Sequence, residues 1–263
     1  MLVKPAPSSI LAIMLLLFAQ CTPASTSKQN SGVEASVSIK MMTSLPIIWG
    51  ESGSMQDILS GDSEPAPIYK YWRDRYEMEA VDSLEGLSSS ETDIVMLVQP
   101  RAMAPADLAD LDDWIRKGGD AIIMTDPDLL WPSALPLGDP QRPLSSGLLS
   151  PLLKHWGLEL VSQNKPATAV ELEYADHKIA TVGIGGFEVL ELDVANEVAC
   201  KFSETGFIAQ CQIGAGRVIL VADADFLHEQ LWTNDNQWQE SGESDAMRFV
   251  DTLIGQFNNV SKG

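Results

Sequence analysis

The sequence predicts an α/β fold in which a mostly parallel sheet is flanked by helices and carries an inserted antiparallel β lobe. Residues 93–127 read as strand, helix and strand, because the apolar runs "DIVMLV" and "DAIIMTD" enclose an amphipathic segment. A further apolar run, "GAGRVILVADADFL", precedes a C-terminal segment with helical periodicity. Short alternating segments between about 166 and 213 favour antiparallel strands instead.

The first predicted elements lie between residues 37 and 84. The nearly continuous apolar run "VSIKMMTSLPIIWG", which ends at Gly50, is typical of a strand that is buried on both faces of a sheet. The stretch "APIYKYWRDRYEMEAVDSL" predicts a helix followed by a short strand at about 78–81. Helical spacing relates four of its apolar residues: Ile68, Tyr71, Trp72 and Tyr76.

Residues 93–127 form the predicted βαβ unit. Its helix begins at Pro105, where the missing backbone N–H costs no hydrogen bond, and Gly118 with Gly119 ends it. The buried stripe of this helix is Leu108, Leu111, Trp114 and Ile115. Because a crossover between strands of one sheet is right-handed, the two strands are predicted to be parallel.

The later segments predict a helix, a β-rich region and a closing helix. "LSSGLLSPLLKHWGLELV" gives an amphipathic helix, a glycine end at Gly157 and a short strand. The final helix, in "ESDAMRFVDTLIGQF", follows the buried strand of "GAGRVILVADADFL". Its predicted apolar face contains Met247, Val250, Leu253, Ile254 and Phe257.

Composition and charge exclude several classes of partner. The chain has 263 residues, of which 45% are hydrophobic, enough for a sizeable core. Its 37 acidic and 17 basic side chains give a formal net charge of −20. Such a charge repels nucleic acids and anionic lipid surfaces, so neither is a predicted partner. An acidic surface that serves solubility is the simpler interpretation of the charge.

The N-terminus has the pattern of an export signal. Lys4 precedes the apolar run "ILAIMLLLFA", which is too short for a stable membrane-spanning helix. Residues 1–24 are therefore predicted to be a signal peptide or lipoprotein leader, 25–36 a flexible tether, and 37–260 the folded domain. Two outcomes remain open: lipid attachment at Cys21, which would anchor the chain to a membrane, or cleavage after Ala24, which would release it into the periplasm.

Cys200 and Cys211 are predicted to face each other in a β hairpin. A turn at Thr205 and Gly206 in "EVACKFSETGFIAQCQIGAG" places the two thiols opposite each other, at a hydrogen-bonded pair of the ladder. An exported protein meets an oxidising compartment, so a disulfide is predicted, with two buried reduced thiols as the alternative.

Four segments carry a resemblance to a known family: "DIVMLVQP", "LADLDDWIRKGGDAIIMTDP", "LLSPLLKHWGLEL" and "GAGRVILVADADFL". In them the chain resembles the periplasmic domains of uncharacterised ABC-type transport auxiliary proteins, which are related to the gliding-motility auxiliary family. The resemblance implies a fold similar to class I glutamine amidotransferases, or flavodoxin-like, and membrane components of an ABC-type transporter as possible partners.

The sequence lacks the motifs of an enzyme with a cysteine or serine nucleophile and of a P-loop ATPase. An amidotransferase needs a cysteine nucleophile at a tight turn after a strand, activated by a histidine. The two turns in question read "VQPRAMAP" and "MTDPDLLWP" and hold neither cysteine nor serine. No G-x-S-x-G or Walker A motif occurs, and the three histidines are scattered. The sequence predicts neither a cofactor nor a metal site, and no catalytic residue.

Polar and aromatic residues follow the predicted parallel strands. Ligands of open α/β sheets bind outside the carboxyl ends of the strands, so these residues are the candidate ligand-binding set. The set is Trp49, Glu51, Gln99, Arg101, Asp126, Asp128, Asp223 and Asp225. The alternative is that each is a turn former or helix cap. Gln99 and Arg101 lie where an enzyme would have its nucleophile. Their amide and guanidinium groups can bind a partner through paired hydrogen bonds but cannot attack it.

Three functional hypotheses follow. The first is a non-catalytic exported accessory or binding domain associated with an ABC-type transport system at the inner membrane. The second is a periplasmic hydrolase that uses the rim carboxylates as general acid and base. The third is a structural adaptor without a small-molecule ligand.

Overall fold

The computed structural model describes residues 1–2, 36–50, 60, 64–163, 169–191 and 198–258. Apart from residues 1–2 and 36, the predicted leader and tether lie outside the described residues, as do Cys21 and Glu51. The chain divides into the units Met1–Glu34 and Ala35–Gly263, and every element below lies in the second. No described helix has both the length and the apolar character that a bilayer crossing requires.

The described strands are, in chain order, β1 (Ser38–Thr43), β2 (Glu77–Ala80), β3 (Ile94–Val98), β4 (Asp120–Met124), β5 (Leu158–Ser162), β6 (Ala169–Tyr174), β7 (His177–Val182), β8 (Gly185–Val189), β9 (Val198–Phe202), β10 (Ile208–Ile213) and β11 (Gly216–Val221). The described α-helices are α1 (Pro67–Arg73), α2 (Pro105–Arg116), α3 (Ser150–His155), α4 (Asn236–Ser241) and α5 (Asp245–Asn258). Short 3-10 helices span Leu87–Ser89, Asp225–Leu227 and Glu229–Trp232.

Seven of the described strands form the main sheet, in the order β2-β1-β3-β4-β11-β10-β9. The first five are parallel to one another, and β10 and β9 are antiparallel additions at one edge. Two small antiparallel sheets pair β5 with β8 and β6 with β7. The predicted α/β class, with a mostly parallel sheet flanked by helices, is confirmed.

The predicted βαβ unit is β3-α2-β4. Its strands are parallel, from the pair Ile94 and Asp120 to the pair Val98 and Met124. All of β3 is buried, as its unbroken apolar sequence predicts. The helix ends where predicted because Gly118 has a φ of +115°. Gly119 is required for packing, since a Cβ there would lie 2.3 Å from a ring atom of the Trp114 indole.

Helices cover both faces of the main sheet. One core cluster joins the sheet to α1 and α5, and the other joins it to α2 and α3. The predicted apolar face of α5 is buried in the first cluster. Burying one Val, Leu, Ile, Phe or Met side chain adds about 1.5 to 3 kcal/mol to the free energy of unfolding. These two clusters are therefore the main source of stability.

The first strand is shorter than predicted. β1 ends at Thr43. The backbone N–H of the next residue, Ser44, donates to the Gln99 carbonyl at 3.1 Å, and the chain leaves the sheet at this point. Pro46 has no N–H to continue the pairing. The apolar residues that follow, such as Ile47, are buried in a loop rather than in a strand.

The first helix is also shorter than predicted, because α1 ends at Arg73 and leaves Tyr76 outside it. The tyrosine still packs inward. Its hydroxyl donates to Asp251 Oδ1 at 2.8 Å, and the hydroxyl of Tyr71 donates to Oδ2 of the same carboxylate at 2.6 Å. The helical spacing therefore identified two side chains, Tyr71 and Tyr76, that both donate to Asp251 on α5, although only Tyr71 lies in a helix.

The expected β-rich insertion at 166–213 is divided between sheets. β6 and β7 form a separate hairpin, whereas β9 and β10 extend the main sheet. The reason is the connection between β10 and β11, which consists of Gly214 and Ala215 alone. Two residues permit only an antiparallel hairpin neighbour, so β10 must lie beside β11.

The Cys200–Cys211 disulfide is confirmed, with an S–S distance of 2.01 Å and a Cα–Cα distance of 4.0 Å. The predicted hydrogen-bonded register is wrong. Ser203 N donates to Ile208 O at 2.9 Å, so the hairpin closes one residue earlier on each strand, around a loop of residues 204–207. Counting from this pair, the cysteines occupy a non-hydrogen-bonded position, where facing Cα atoms lie closer together.

Replacing both cysteines with serine should lower the free energy of unfolding by about 3 kcal/mol, because the bond closes a short loop in the unfolded chain. Urea unfolding with and without a thiol reductant measures this effect. The reductant should destabilise the natural protein and leave Cys200→Ser/Cys211→Ser unchanged. Equal stability of the two proteins without reductant would contradict the prediction.

Candidate functional site

The strand order reverses beside β1, at the carboxyl edge of the main sheet. The chain passes from β1 outward to β2 and then returns to β3 on the other side of β1. The connections that follow β1 and β3 diverge, which leaves a crevice where open α/β sheets bind ligands. The order β2-β1-β3-β4 is also that of flavodoxin-like sheets.

A cavity of about 260 Å³ occupies this crevice and is called the cleft below. It is bounded by the ends of β1, β2 and β3 and by residues 133–143 of the loop between β4 and α3. Apolar walls are provided by Leu45, Pro46, Ile48, Trp49, Val81, Leu135 and Pro143, and polar groups by Thr43, Ser44, Asp82, Arg101, Ser133 and Gln141. Such a volume lies below the range of about 300 to 1,000 Å³ for drug-sized ligands, so the cleft suits a small molecule.

Gln99 is fully buried and fastens the end of β3 to the end of β4. Its side-chain Nε2 donates to the carbonyls of Asp126 (3.2 Å) and Leu144 (3.1 Å), and its Oε1 accepts from Asp126 N at 2.8 Å. The residue has a φ of +42°, a left-handed conformation that is uncommon for a side chain larger than glycine. Both amide hydrogens are used within the protein, so Gln99 positions the strand ends rather than facing a ligand.

The two residues after Gln99 place the positively charged side chain of Arg101 at the wall of the cleft. Pro100 is buried and fixes the backbone after Gln99, and Arg101 is exposed at the cleft wall. Across the described ranges, no hydrogen bond or salt bridge engages the Arg101 guanidinium. Two members of the candidate ligand-binding set, Trp49 and Arg101, therefore line one cleft, with the indole 52% exposed.

Asp82 faces the cleft from the opposite side and was not among the predicted site residues. It follows β2, Arg101 follows β3, and β1 lies between these strands. Adjacent strands are about 4.8 Å apart, so the two charges start from strands roughly 10 Å apart. The Asp82 carboxylate is exposed and has no hydrogen bond or ion pair within the part of the chain that the structure describes.

Three of the predicted carboxylates are buried instead of lining the cleft. Asp126, Asp223 and Asp225 are exposed to only 4%, 1% and 2%, and they form the acidic cluster at the ends of β4 and β11. Asp225 accepts from Leu130 N at 3.1 and 3.0 Å, and Asp223 accepts from the Thr181 hydroxyl at 2.5 Å. Asp126 accepts from Asp128 N at 2.8 Å.

Burial raises the pKa of every member of the acidic cluster. It raises the pKa of Asp126 to about 6 and that of Asp225 to about 7, with backbone N–H donors opposing the change. The pKa of Asp223 lies well above its ordinary value because of burial and then the negative charge of Asp126. Among the described residues, no lysine or arginine forms a salt bridge with the cluster. These carboxyl groups therefore keep their protons to a higher pH than an exposed aspartate does.

The eight predicted ligand residues thus separate into groups. Trp49 and Arg101 line the cleft, Gln99 and the acidic cluster are buried, and Glu51 lies outside the described residues. Asp128 is exposed and lines a different, narrow cavity beside Gly183. The four predicted carboxylates that the structure describes, Asp126, Asp128, Asp223 and Asp225, do not line the cleft that holds the Arg101 guanidinium.

In the described residues no histidine forms a hydrogen bond with Ser44 or with a cysteine. Ser44 follows β1, but its hydroxyl donates to the Gln99 carbonyl at 2.5 Å. His155 lies 3.4 Å from Asp112, His177 contacts Thr252 at 2.7 Å, and His228 packs against Trp131. The Thr252 hydroxyl that contacts His177 itself donates to the Arg248 carbonyl at 3.0 Å.

Comparison with protein families identifies a match to part of the chain. Residues 37–177 match the family model described as an ABC-type uncharacterized transport system. The matched segment contains all of the described residues that line the cleft. No curated protein matches the chain.

Solved structures with a related fold are distant. The exo-beta-1,4-mannosidase Op5Man5 from Opitutaceae bacterium strain TAV5 is 12% identical with a TM-score of 0.46, and the match covers 82% of this chain and 36% of that one. The cytoplasmic protein STM1381 from Salmonella typhimurium LT2 is 9% identical with a TM-score of 0.46, covering 72% and 85%. The mmIFT52 N-terminal domain is 10% identical with a TM-score of 0.45, covering 85% and 97%. At this level of similarity none of them bears on function.

Proposed function

The chain belongs to the ABC-type uncharacterized transport system family, and from this premise we propose that it is a non-catalytic, exported accessory domain of an ABC-type transporter. The family match over residues 37–177 carries the proposal, because that segment includes the carboxyl edges of β1 to β4 and the whole cleft. The 263 residues contain no Walker A motif, which is compatible with an accessory role.

The long connection between β4 and α3 supports a docking role. It spans residues 125–149 without a helix or strand, and structureless loops longer than about 12 to 15 residues in compact domains are usually functional. Leu137 is 89% exposed, and Leu130 and Leu148 are 41% and 42% exposed. The three exposed leucines all lie on this loop, so it is the segment that we propose contacts the partner.

The buried acidic cluster favours a non-catalytic role over a hydrolase. A general acid or base must come within hydrogen-bonding distance of the substrate, directly or through one water. Asp126, Asp223 and Asp225 are covered, and their oxygens accept hydrogen bonds from the protein itself. The cleft in turn favours a binding domain over an adaptor without a ligand.

Export rests on the N-terminal leader pattern and on the disulfide. Disulfides persist in oxidising compartments such as the periplasm and are rare in the cytosol. The proposed location is therefore periplasmic, either soluble or anchored through Cys21.

Site-specific photo-crosslinking tests the transporter association. A photoreactive amino acid at Leu137 of the full chain, expressed in its own cells, should give adducts with membrane components of an ABC-type transporter. The same group at Glu77, which is exposed at the opposite, amino edge of the sheet, is the matched control and should give none. Adducts without any transporter component would refute the proposal.

A further inference from the structure

We propose that the cleft binds a small zwitterion of amino-acid or dipeptide size, with its carboxylate at Arg101 and its ammonium group at Asp82. The inference rests on the proposed function, because it names the ligand class of a binding domain. It adds a ligand chemistry that family membership does not supply.

The opposed charges are the first argument. Arg101 and Asp82 line one cleft, and in the described parts of the chain neither is used in an ion pair. A guanidinium accepts a carboxylate through two parallel hydrogen bonds, and a carboxylate pairs with an ammonium group. A ligand that carries both charges satisfies both side chains at once.

Reach is the second argument. The strands that carry the two residues are roughly 10 Å apart, with the end of β1 between them. An extended chain spans about 3.5 Å per residue, and a charged hydrogen bond adds about 2.8 Å at each end. A molecule of one or two residues therefore spans roughly 9 to 13 Å between its two partners, which is comparable with the distance between the strands from which the two side chains start.

Volume and walls are the third argument. A cavity of about 260 Å³ is too small for a nucleotide or a long peptide. Leu45, Ile48 and Leu135 offer apolar contact to a ligand side chain, and the Trp49 indole offers a flat face. Ser133 and Gln141 add hydrogen-bonding groups for a peptide unit.

Net charge is the fourth argument and decides against a simple anion. The chain carries a formal charge of −20, which repels an anion on approach. A zwitterion has no net charge, so this long-range repulsion does not oppose it, while the local charges still orient it. A cleft arginine that has no ion-pair partner among the described residues, in such a field, favours a ligand with balanced charges.

Isothermal titration calorimetry with three matched peptides tests the proposal. Alanyl-leucine should bind the full chain about tenfold more tightly than N-acetyl-alanyl-leucine, which lacks the ammonium group, or alanyl-leucinamide, which lacks the carboxylate. Equal binding of the three peptides, or no binding of alanyl-leucine, would overturn it.

Two substitutions assign each charge to its partner. Arg101→Gln should remove the preference for alanyl-leucine over alanyl-leucinamide, and Asp82→Asn should remove the preference over the acetylated peptide. Arg73→Gln, exposed on α1 and outside the cleft, should retain both preferences. Loss of either preference in Arg73→Gln, or its retention in the cleft variants, contradicts the assignment. If the peptides do not bind as expected but the photoreactive group at Leu137 still gives transporter adducts, the zwitterion proposal is wrong and the transporter association is retained.

Discussion

Replacing Gln99 with leucine is expected to lower the free energy of unfolding by about 3 to 4 kcal/mol. The change removes three buried hydrogen bonds and leaves Asp126 N–H and the carbonyls of Asp126 and Leu144 without their amide partner. Each buried polar group left unsatisfied costs about 1 to 3 kcal/mol. Leucine also keeps the left-handed backbone at this position without the contacts that stabilise it.

Thermal and urea unfolding measure the effect of Gln99→Leu. The midpoint of thermal unfolding should fall by about 10 °C, since 1 kcal/mol corresponds to about 2 to 4 °C for a domain of this size. The matched control is Gln237→Leu, an exposed glutamine on α4, which should change stability by less than about 0.5 kcal/mol. If both variants unfold at the same midpoint, Gln99 does not hold the strand ends together.

The second large effect is a loss of stability as the pH rises from about 4 to about 7. The folded-state pKa values of Asp126 and Asp225 are raised to about 6 and about 7, while an unfolded aspartate titrates near 3.8. The folded state therefore binds more protons than the unfolded state in this interval, so the free energy of unfolding falls with increasing pH. This contribution is complete below the unfolded pKa and is lost above the folded values.

Asp225→Asn isolates one member of the acidic cluster. One pKa unit corresponds to about 1.4 kcal/mol, so the change in stability between pH 4 and pH 8 should be smaller in the variant by on the order of 4 kcal/mol. Asp176→Asn, in the exposed turn between β6 and β7, should keep the pH dependence of the natural protein. Parallel pH profiles for the natural protein and Asp225→Asn would show that the buried carboxyl group does not retain its proton.

The parallel sheet was predictable because its central strands carry unbroken apolar runs. β3, β4 and β11 are buried on both faces, and the glycines after α2 stand where the helix must end. The assignment of β9 and β10 to the main sheet was not predicted. Alternating strands look alike in sequence whether they form a separate lobe or extend an existing sheet, and only pairing partners distinguish the two.

The candidate residues were expected at the carboxyl edge of the sheet, and burial divides them: Trp49 and Arg101 line the cleft, whereas Gln99 and the acidic cluster are covered. Sequence position places Asp126 and Asp225 at strand ends, and it does not show whether a loop then covers them. The loop of residues 125–149 does so, because Gly147 N donates to Asp126 O at 2.7 Å and Leu130 N donates to Asp225. This loop has no hydrophobic period that could have predicted its path. Asp82 was missed because its strand, β2, is short and mostly exposed.

The proline content of the same loop bears on how a partner would be recognised. Within residues 125–149, Pro132, Pro136, Pro140 and Pro143 recur at intervals of three or four residues, and each ring restricts φ to about −65°. Much of the backbone entropy of this segment is thus already lost in the unbound protein. A transporter subunit that binds the exposed Leu137 would contact a preorganised loop. The loss of conformational entropy on association would therefore be smaller than for a flexible loop.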